Sequence, residues 1–177
     1  PDRLYGKGSL HLRQEIFYRG ELSYQVNPTL SFTYNVSLGE DIIHIMTRPD
    51  PQRPGVYYTT PENIGSRLRH HLSGDLELRP LHLWRSNTNV YLQHQRDYIP
   101  GRSIESTSVG IQSTHQFTLP RGFGLSLSFD ASTGMKTLSY EQGGSYSMSL
   151  GGWGRFLGDR LTVGLRFSNL LHNTPWI

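Results

Sequence analysis

From Pro120 to Asp130 the chain reads PRGFGLSLSFD. Its apolar residues Phe123, Leu125, Leu127 and Phe129 fall on one parity, and Gly124, Ser126, Ser128 and Asp130 on the other. Successive side chains of a strand point to opposite faces, so this spacing predicts a strand with one oily side and one side of glycine, hydroxyl and carboxylate. The same period recurs along most of the chain. Ile16, Tyr18, Leu22, Tyr24 and Val26 share a parity broken only by Gly20, and Leu30, Phe32, Tyr34, Val36 and Leu38 alternate with Ser31, Thr33, Asn35 and Ser37. Leu68, Leu72, Leu76 and Leu78 oppose Arg67, Arg69, His71, Asp75 and Glu77. Trp84, Val90 and Leu92 form a less regular run, followed by Val109, Ile111, Phe117 and Leu119, then by Tyr146, Met148, Leu150 and Phe156, and last by Leu161, Val163, Leu165 and Phe167. With the run from Phe123, the pattern predicts eight strands and no helix.

The connections add a second pattern. The links NPT after Val26, Arg79–Pro80, Pro120–Gly122 and Gly158–Asp159 are brief and rich in turn formers, which predicts hairpins. The links Glu40–Ser66, Asp97–Glu105 and Ser132–Gly144 are longer, and the first holds Pro49, Pro51, Pro54 and Pro61. In an up-and-down meander every second link emerges at the same end, so the spacing predicts short turns at one end and long loops at the other. Outer-membrane barrels have that asymmetry. The runs also approach the roughly 9 to 11 residues that a tilted membrane-spanning strand needs, and Tyr18, Tyr24, Trp84, Phe117, Phe123 and Phe156 lie towards strand ends. The expectation is an all-β, antiparallel up-and-down meander of about eight strands, part of a transmembrane barrel. Leu30, Phe32, Tyr34, Val36, Phe123, Leu125, Leu127, Phe129, Leu161, Val163, Leu165 and Phe167 are then the candidates to face lipid. Arg67, Arg69, Asp75, Glu77 and Arg166 are the candidates to face a lumen.

Composition fits this picture better than a conventional core. Only 35% of the 177 residues are hydrophobic, and Gly, Tyr and Ser are plentiful. There is no cysteine, which excludes disulfides and thiolate metal sites. The net charge of +3 is spread without a basic stripe, so no nucleic-acid surface is expected. Eight histidines raise the question of a metal, yet the adjacent pair His70 and His71 points to opposite faces of a strand and cannot jointly ligate one ion. GGWGRFLGD lacks the Lys-Ser/Thr ending and the helix of a phosphate loop, and its glycines suit a bend or close strand approach beside Trp153. No nucleophile elbow or spaced triad is present, so neither catalysis nor a cofactor is expected. The sequon NVS at Asn35 falls inside a strand. The arginines Arg67, Arg69, Arg155 and Arg166 either attract anionic solutes or form ladders with Asp75, Glu77 and Asp130.

Three stretches, TTPENIGSRLRHHLSGDLEL, STHQFTLPRGFGLSLSFDAST and YSMSLGGWGRFLGDRLTVGLRFSNLL, together resemble the outer-membrane β-barrel family of Bacteroidota, the TonB-dependent-receptor-like proteins. The matching steps are Thr60 to Ile64 after the long loop, the Leu119–Pro120 turn, and the strand from Leu161 to Leu171. The resemblance implies a bacterial outer-membrane location and transport energised from the inner membrane. It also implies that residues 1–177 form one β-barrel segment, from the C-terminal region of a larger barrel whose plug lies elsewhere. It leaves the substrate and any partner lipoprotein open. Expected partners are outer-membrane lipid and an energy-coupling protein reached through the plug, with edge-to-edge self-association of the isolated segment. HNTPWI at the end lacks the terminal aromatic expected of such a barrel. Two alternatives stand beside this reading: a complete eight-stranded structural or adhesion barrel, and a soluble barrel or sandwich whose oily parity forms the interior.

Overall fold

A computed structural model describes residues 4–137 and 141–173. In chain order the strands are β1 (Leu4–Gly6), β2 (Ile16–Asn27), β3 (Leu30–Glu40), β4 (Ile43–Pro49), β5 (Tyr57–Asn63), β6 (Ser66–Leu81), β7 (Trp84–Ile99), β8 (Arg102–Leu119), β9 (Phe123–Ser132), β10 (Met135–Lys136), β11 (Glu141–Gln142), β12 (Ser145–Phe156) and β13 (Leu161–Asn173). Eight of them form one sheet in the order β13-β12-β9-β8-β7-β6-β3-β2. Every neighbouring pair is antiparallel. The only helical turn among the described residues is a 3-10 turn at Pro120–Gly122. Among them, too, β2 and β13 do not pair with each other, so the sheet has two open edges.

Register carries the alternation from strand to strand. Leu38, Tyr34 and Leu30 of β3 oppose Leu68, Leu72 and Leu76 of β6. Leu92 and Val90 of β7 oppose Val109 and Ile111 of β8. Leu127 of β9 opposes Leu150 of β12, which opposes Phe167 of β13. Because opposed residues share a face, the apolar runs of neighbouring strands line up on one side of the sheet and the polar runs on the other.

The links differ from the sequence expectation at three places. Arg79–Pro80 is not the turn. β6 runs on to Leu81, the turn is His82–Leu83, and the register shifts between Leu78 and Leu81. Pro80 cannot donate to a ladder, and a bulge is where a strand tolerates it. The extra residue also puts Leu81 opposite Trp84, although simple parity assigns Leu81 to the other face. Asp97–Glu105 is not a long loop either, because β7 and β8 continue to a two-residue turn at Pro100–Gly101. Gly101 has φ +85, as a Pro-Gly type II turn requires. β8 thus runs past β9, whose pairing ends with Ser132 opposite Gly110. The third link, between β3 and β6, is an ordered hairpin of β4 and β5, with β1 parallel to β5. Ser132–Gly144 carries the small β10–β11 pair, and its residues 138–140 lie outside the described ones, as do Thr174–Ile177 of the HNTPWI ending.

The described chain has almost no interior. Ile42, 5% exposed, is its one buried hydrophobic residue, whereas Leu22, Leu72, Val90, Leu125, Leu165 and many other large apolar side chains are exposed. A soluble barrel or sandwich would bury this apolar parity against itself; here nothing in the described chain covers it.

Candidate functional site

The most enclosed polar groups gather where the polar face meets the β4–β5 hairpin. Arg67 on β6 donates from Nε to Asp97 Oδ1 on β7 at 2.6 Å and from Nη2 to His44 Nε2 on β4 at 3.1 Å. Gln95 Nε2 donates to Asp97 Oδ2 at 3.0 Å, and the Gln95 carbonyl accepts from Arg69 Nε and Nη2 at 3.2 and 3.0 Å. Asp97 and Gln95 are only 2% and 3% exposed. A buried carboxylate is tolerated here because it is paired and hydrogen-bonded. Burial, reinforced by the Arg67 guanidinium, holds the His44 imidazole below its usual range, against the pull of Asp97 and Glu15.

The hairpin is fixed in place by several independent contacts. Ile42 N–H donates to the Gly65 carbonyl and Ile64 N–H to the Ile42 carbonyl, both at 3.0 Å. Glu15 accepts from the Ile43 amide, and Asn63 bonds both the amide and the carbonyl of Arg13. Arg48 forms a two-point pair with Glu62 across β4 and β5, which holds the Glu62 carboxyl below its usual range. Gly65 has φ +142, and a Cβ there would overlap the Tyr98 carbonyl. The Thr-Pro-Glu-Asn-Ile step is therefore the inner edge of a cap packed on the polar face.

Arg67, Arg69, Asp75, Glu77 and Arg166 all lie on the polar face, the last opposite Gly151. They do not form the ladder that the sequence offered. Arg67 pairs with Asp97, Arg69 with Gln95, and Glu77 with Arg79 and Arg85, while Asp75 accepts from Asn89. The twelve apolar candidates on β3, β9 and β13 share the other face. His70 and His71 part as their parity requires: His70 bonds the Tyr34 hydroxyl on the apolar face, and His71 stacks on Tyr91 on the polar one. In GGWGRFLGD, Trp153 crosses the polar face over Gly124, where a Cβ would overlap the indole.

The sequence reading placed Trp84 and Phe117 towards strand ends but missed the histidines that build two rows on the apolar face. Towards the cap end, Tyr34, His70 and His94 stack in series, and His94 is 2.9 Å from the Thr107 hydroxyl. Towards the other end, Trp84 stacks on Phe117 and donates to His115. The signal was present in the matched parity of His70, His94 and His115, but single histidines carry little weight until register aligns them.

A long antiparallel sheet with one apolar face, one face of hydroxyls, amides and arginines, and no core of its own is what a membrane-spanning wall requires. A model of the outer membrane protein beta-barrel family matches residues 2–176. The chain belongs to that family. An outer membrane protein beta-barrel of this kind resides in the bacterial outer membrane. No curated protein and no solved structure matches the chain.

Proposed function

We propose that the chain is a non-catalytic wall segment of a TonB-dependent-receptor-like transporter, with its apolar face against lipid and its polar face lining the lumen. The observation that carries this reading is the pair of aromatic and histidine rows on the apolar face. Trp84 and His94 are ten positions apart on β7, which is roughly 33 Å along a strand and about 25 Å along the membrane normal at a tilt near 40°. That matches the apolar band between the two interfacial girdles of an outer-membrane barrel. Between the rows, Thr88 and Ser113 hydroxyls satisfy each other at 2.8 Å.

The open edges of β2 and β13 support a place within a wider sheet, because unpaired amides and carbonyls in hydrocarbon each cost several kcal/mol. The cap end, with the β4–β5 hairpin and the β9–β12 link, is the extracellular end, and the turns at Pro28–Thr29, His82–Leu83, Pro120–Gly122 and Gly158 are periplasmic. The resemblance to TonB-dependent receptors supplies the energy source, through a plug and an inner-membrane coupling protein.

The test is to capture the native protein from outer membranes with an antibody against the Arg48–Val56 tip and to identify it by mass. A species much larger than 177 residues, carrying an N-terminal plug and further strands, is expected. A heat-modifiable monomer of the chain's own size would replace the transporter reading with the small-barrel one.

A further inference from the structure

We propose that the polar face binds an oxyanion of the phosphate or sulfate type in the hollow over Ser37. Arg19 of β2 and Arg69 of β6 stand opposite Ser37 of β3 from either side, in one transverse row. Their backbones are therefore two strand spacings apart, roughly 10 Å, a gap that two guanidinium side chains reaching inward can close around a small anion. The next row places Gly39 between Phe17 and Arg67. The short side chain of Ser37 thus forms the floor and long cationic ones the walls, while Gly39 is covered by Phe17 and Ile42. The resulting cavity of about 550 Å³ is lined by Arg19, Arg67, Arg69, His71, Asn35 and Gln93 among others.

The charge balance of this hollow is incomplete. Asp97 is committed to Arg67. Arg69 is met only by the neutral Gln95 carbonyl, and Arg19 lies over the Phe17 ring. Among the described residues, no carboxylate comes within 4.0 Å of either Arg19 or Arg69. Glu21 occupies the following row, opposite Asn35, and forms no ion pair there. A guanidinium matches a tetrahedral oxyanion through paired N–H donors, and Ser37 supplies a hydroxyl at the centre. Gln95 on β7 takes the Nε donor and one Nη2 donor of Arg69, which leaves the Nη1 donors and the second Nη2 donor for the ligand.

The site deepens the lumen assignment, since a solute in the lumen is what would bring the anion there. Binding itself is a property of the polar face and can be measured separately. The experiment uses the intact outer-membrane protein that carries this chain, captured from native membranes into zwitterionic micelles, with arginine side-chain NMR as the readout and inorganic phosphate as the probe at constant chloride. Saturable shifts of the Arg19 and Arg69 Nε resonances are expected. Arg69→Gln and Arg19→Gln should each weaken binding by about tenfold, the loss of one charge-assisted contact. Ser37→Val, which fills the floor without changing charge, should weaken it too, and Arg166→Gln should leave it unchanged. Arg69→Lys keeps the charge and loses the fork, and should bind between wild type and Arg69→Gln.

Linear, unsaturable shifts, an equal loss in Arg166→Gln, or wild-type affinity in Arg69→Lys would each reduce the hollow to a diffuse positive potential and overturn the proposal. Absence of phosphate binding with the lipid contact of the apolar face intact would discard this site and leave the transporter reading standing.

Discussion

At the scale of single residues, the period of two decides nearly everything, because each side chain has only two directions to take. Leu127 and its neighbour Ser126 are adjacent in β9 and opposite in face. Leu127→Arg puts a charge on the apolar side near the middle of the sheet and should cost about 2–4 kcal/mol in a membrane-refolding titration, whereas Ser126→Arg should cost far less. Equal penalties would remove the lipid assignment, and a reversed order would favour an oily interior. Gly124 poses a different test, since its missing side chain is the space occupied by Trp153. Gly124→Val should displace the indole and cost about 1–3 kcal/mol, as overpacking does. The fluorescence of Trp153, in a chain with Trp84 and Trp176 changed to Phe, would report the move. The faces of Leu127 and Ser126 were legible from the sequence; that Trp153 lies across a glycine of the next strand was not. Which residues oppose one another depends on register, and the alternation alone leaves register free.

At the scale of elements, the eight long strands were legible because each carries its own apolar parity over many residues. The β4–β5 hairpin was not, since four prolines obscure its period and its strands pair at the mouth rather than within the wall. The β7–β8 turn was misread for the opposite reason: Tyr98, Ile99 and Ile104 interrupt the pattern, although Pro100–Gly101 is itself a strong two-residue turn. The hairpin carries a pH dependence. The docked His44 imidazole accepts from Arg67 and takes up a proton less readily than a free one, whose ordinary value is 6.5. An imidazole depressed in the docked form binds its proton first when undocked, so docking is favoured most above about 6.5 and progressively less as pH falls below it. Hydrogen exchange at the Ile42 and Ile64 amides, corrected for the intrinsic pH dependence, should lose protection over that fall. His44→Gln should flatten the profile. Unchanged protection down to pH 5 would show that Asp97 and Glu15 compensate the added charge.

At the scale of the whole molecule, the two ends of the sheet should respond differently to the outside of the cell. A protease added to intact cells should cut between Arg48 and Val56, where the hairpin tip is exposed, and should spare Pro28–Thr29 and Pro120–Gly122. Surface labelling at Pro28 or Arg121 without permeabilisation would invert the topology. The open edges make a second prediction. The isolated 177-residue chain should associate through β2 and β13 in detergent instead of running as a discrete monomer, as analytical ultracentrifugation would show. A protease-resistant monomer with β2 hydrogen-bonded to β13 would show that the wall closes on itself. Overall architecture was legible as a meander, but closure was not, because whether an edge finds a partner is decided by shear and tilt rather than by parity.

That the strands of the described wall bury no apolar side chain, Ile42 lying in the link between β3 and β4, also sets how the molecule responds to temperature. In a water-soluble domain, unfolding brings a hidden interior into contact with water, and the resulting heat-capacity increase bends the stability curve into a dome. With the apolar face against lipid as proposed, the oily surface is covered by the surrounding amphiphile before and after the strands separate, provided the denaturant is itself an alkyl detergent. Calorimetry of the protein unfolding into dodecyl sulfate should therefore give a heat-capacity change close to zero and a nearly straight temperature dependence. Unfolding into urea, which strips the alkyl chains away, should restore the curvature.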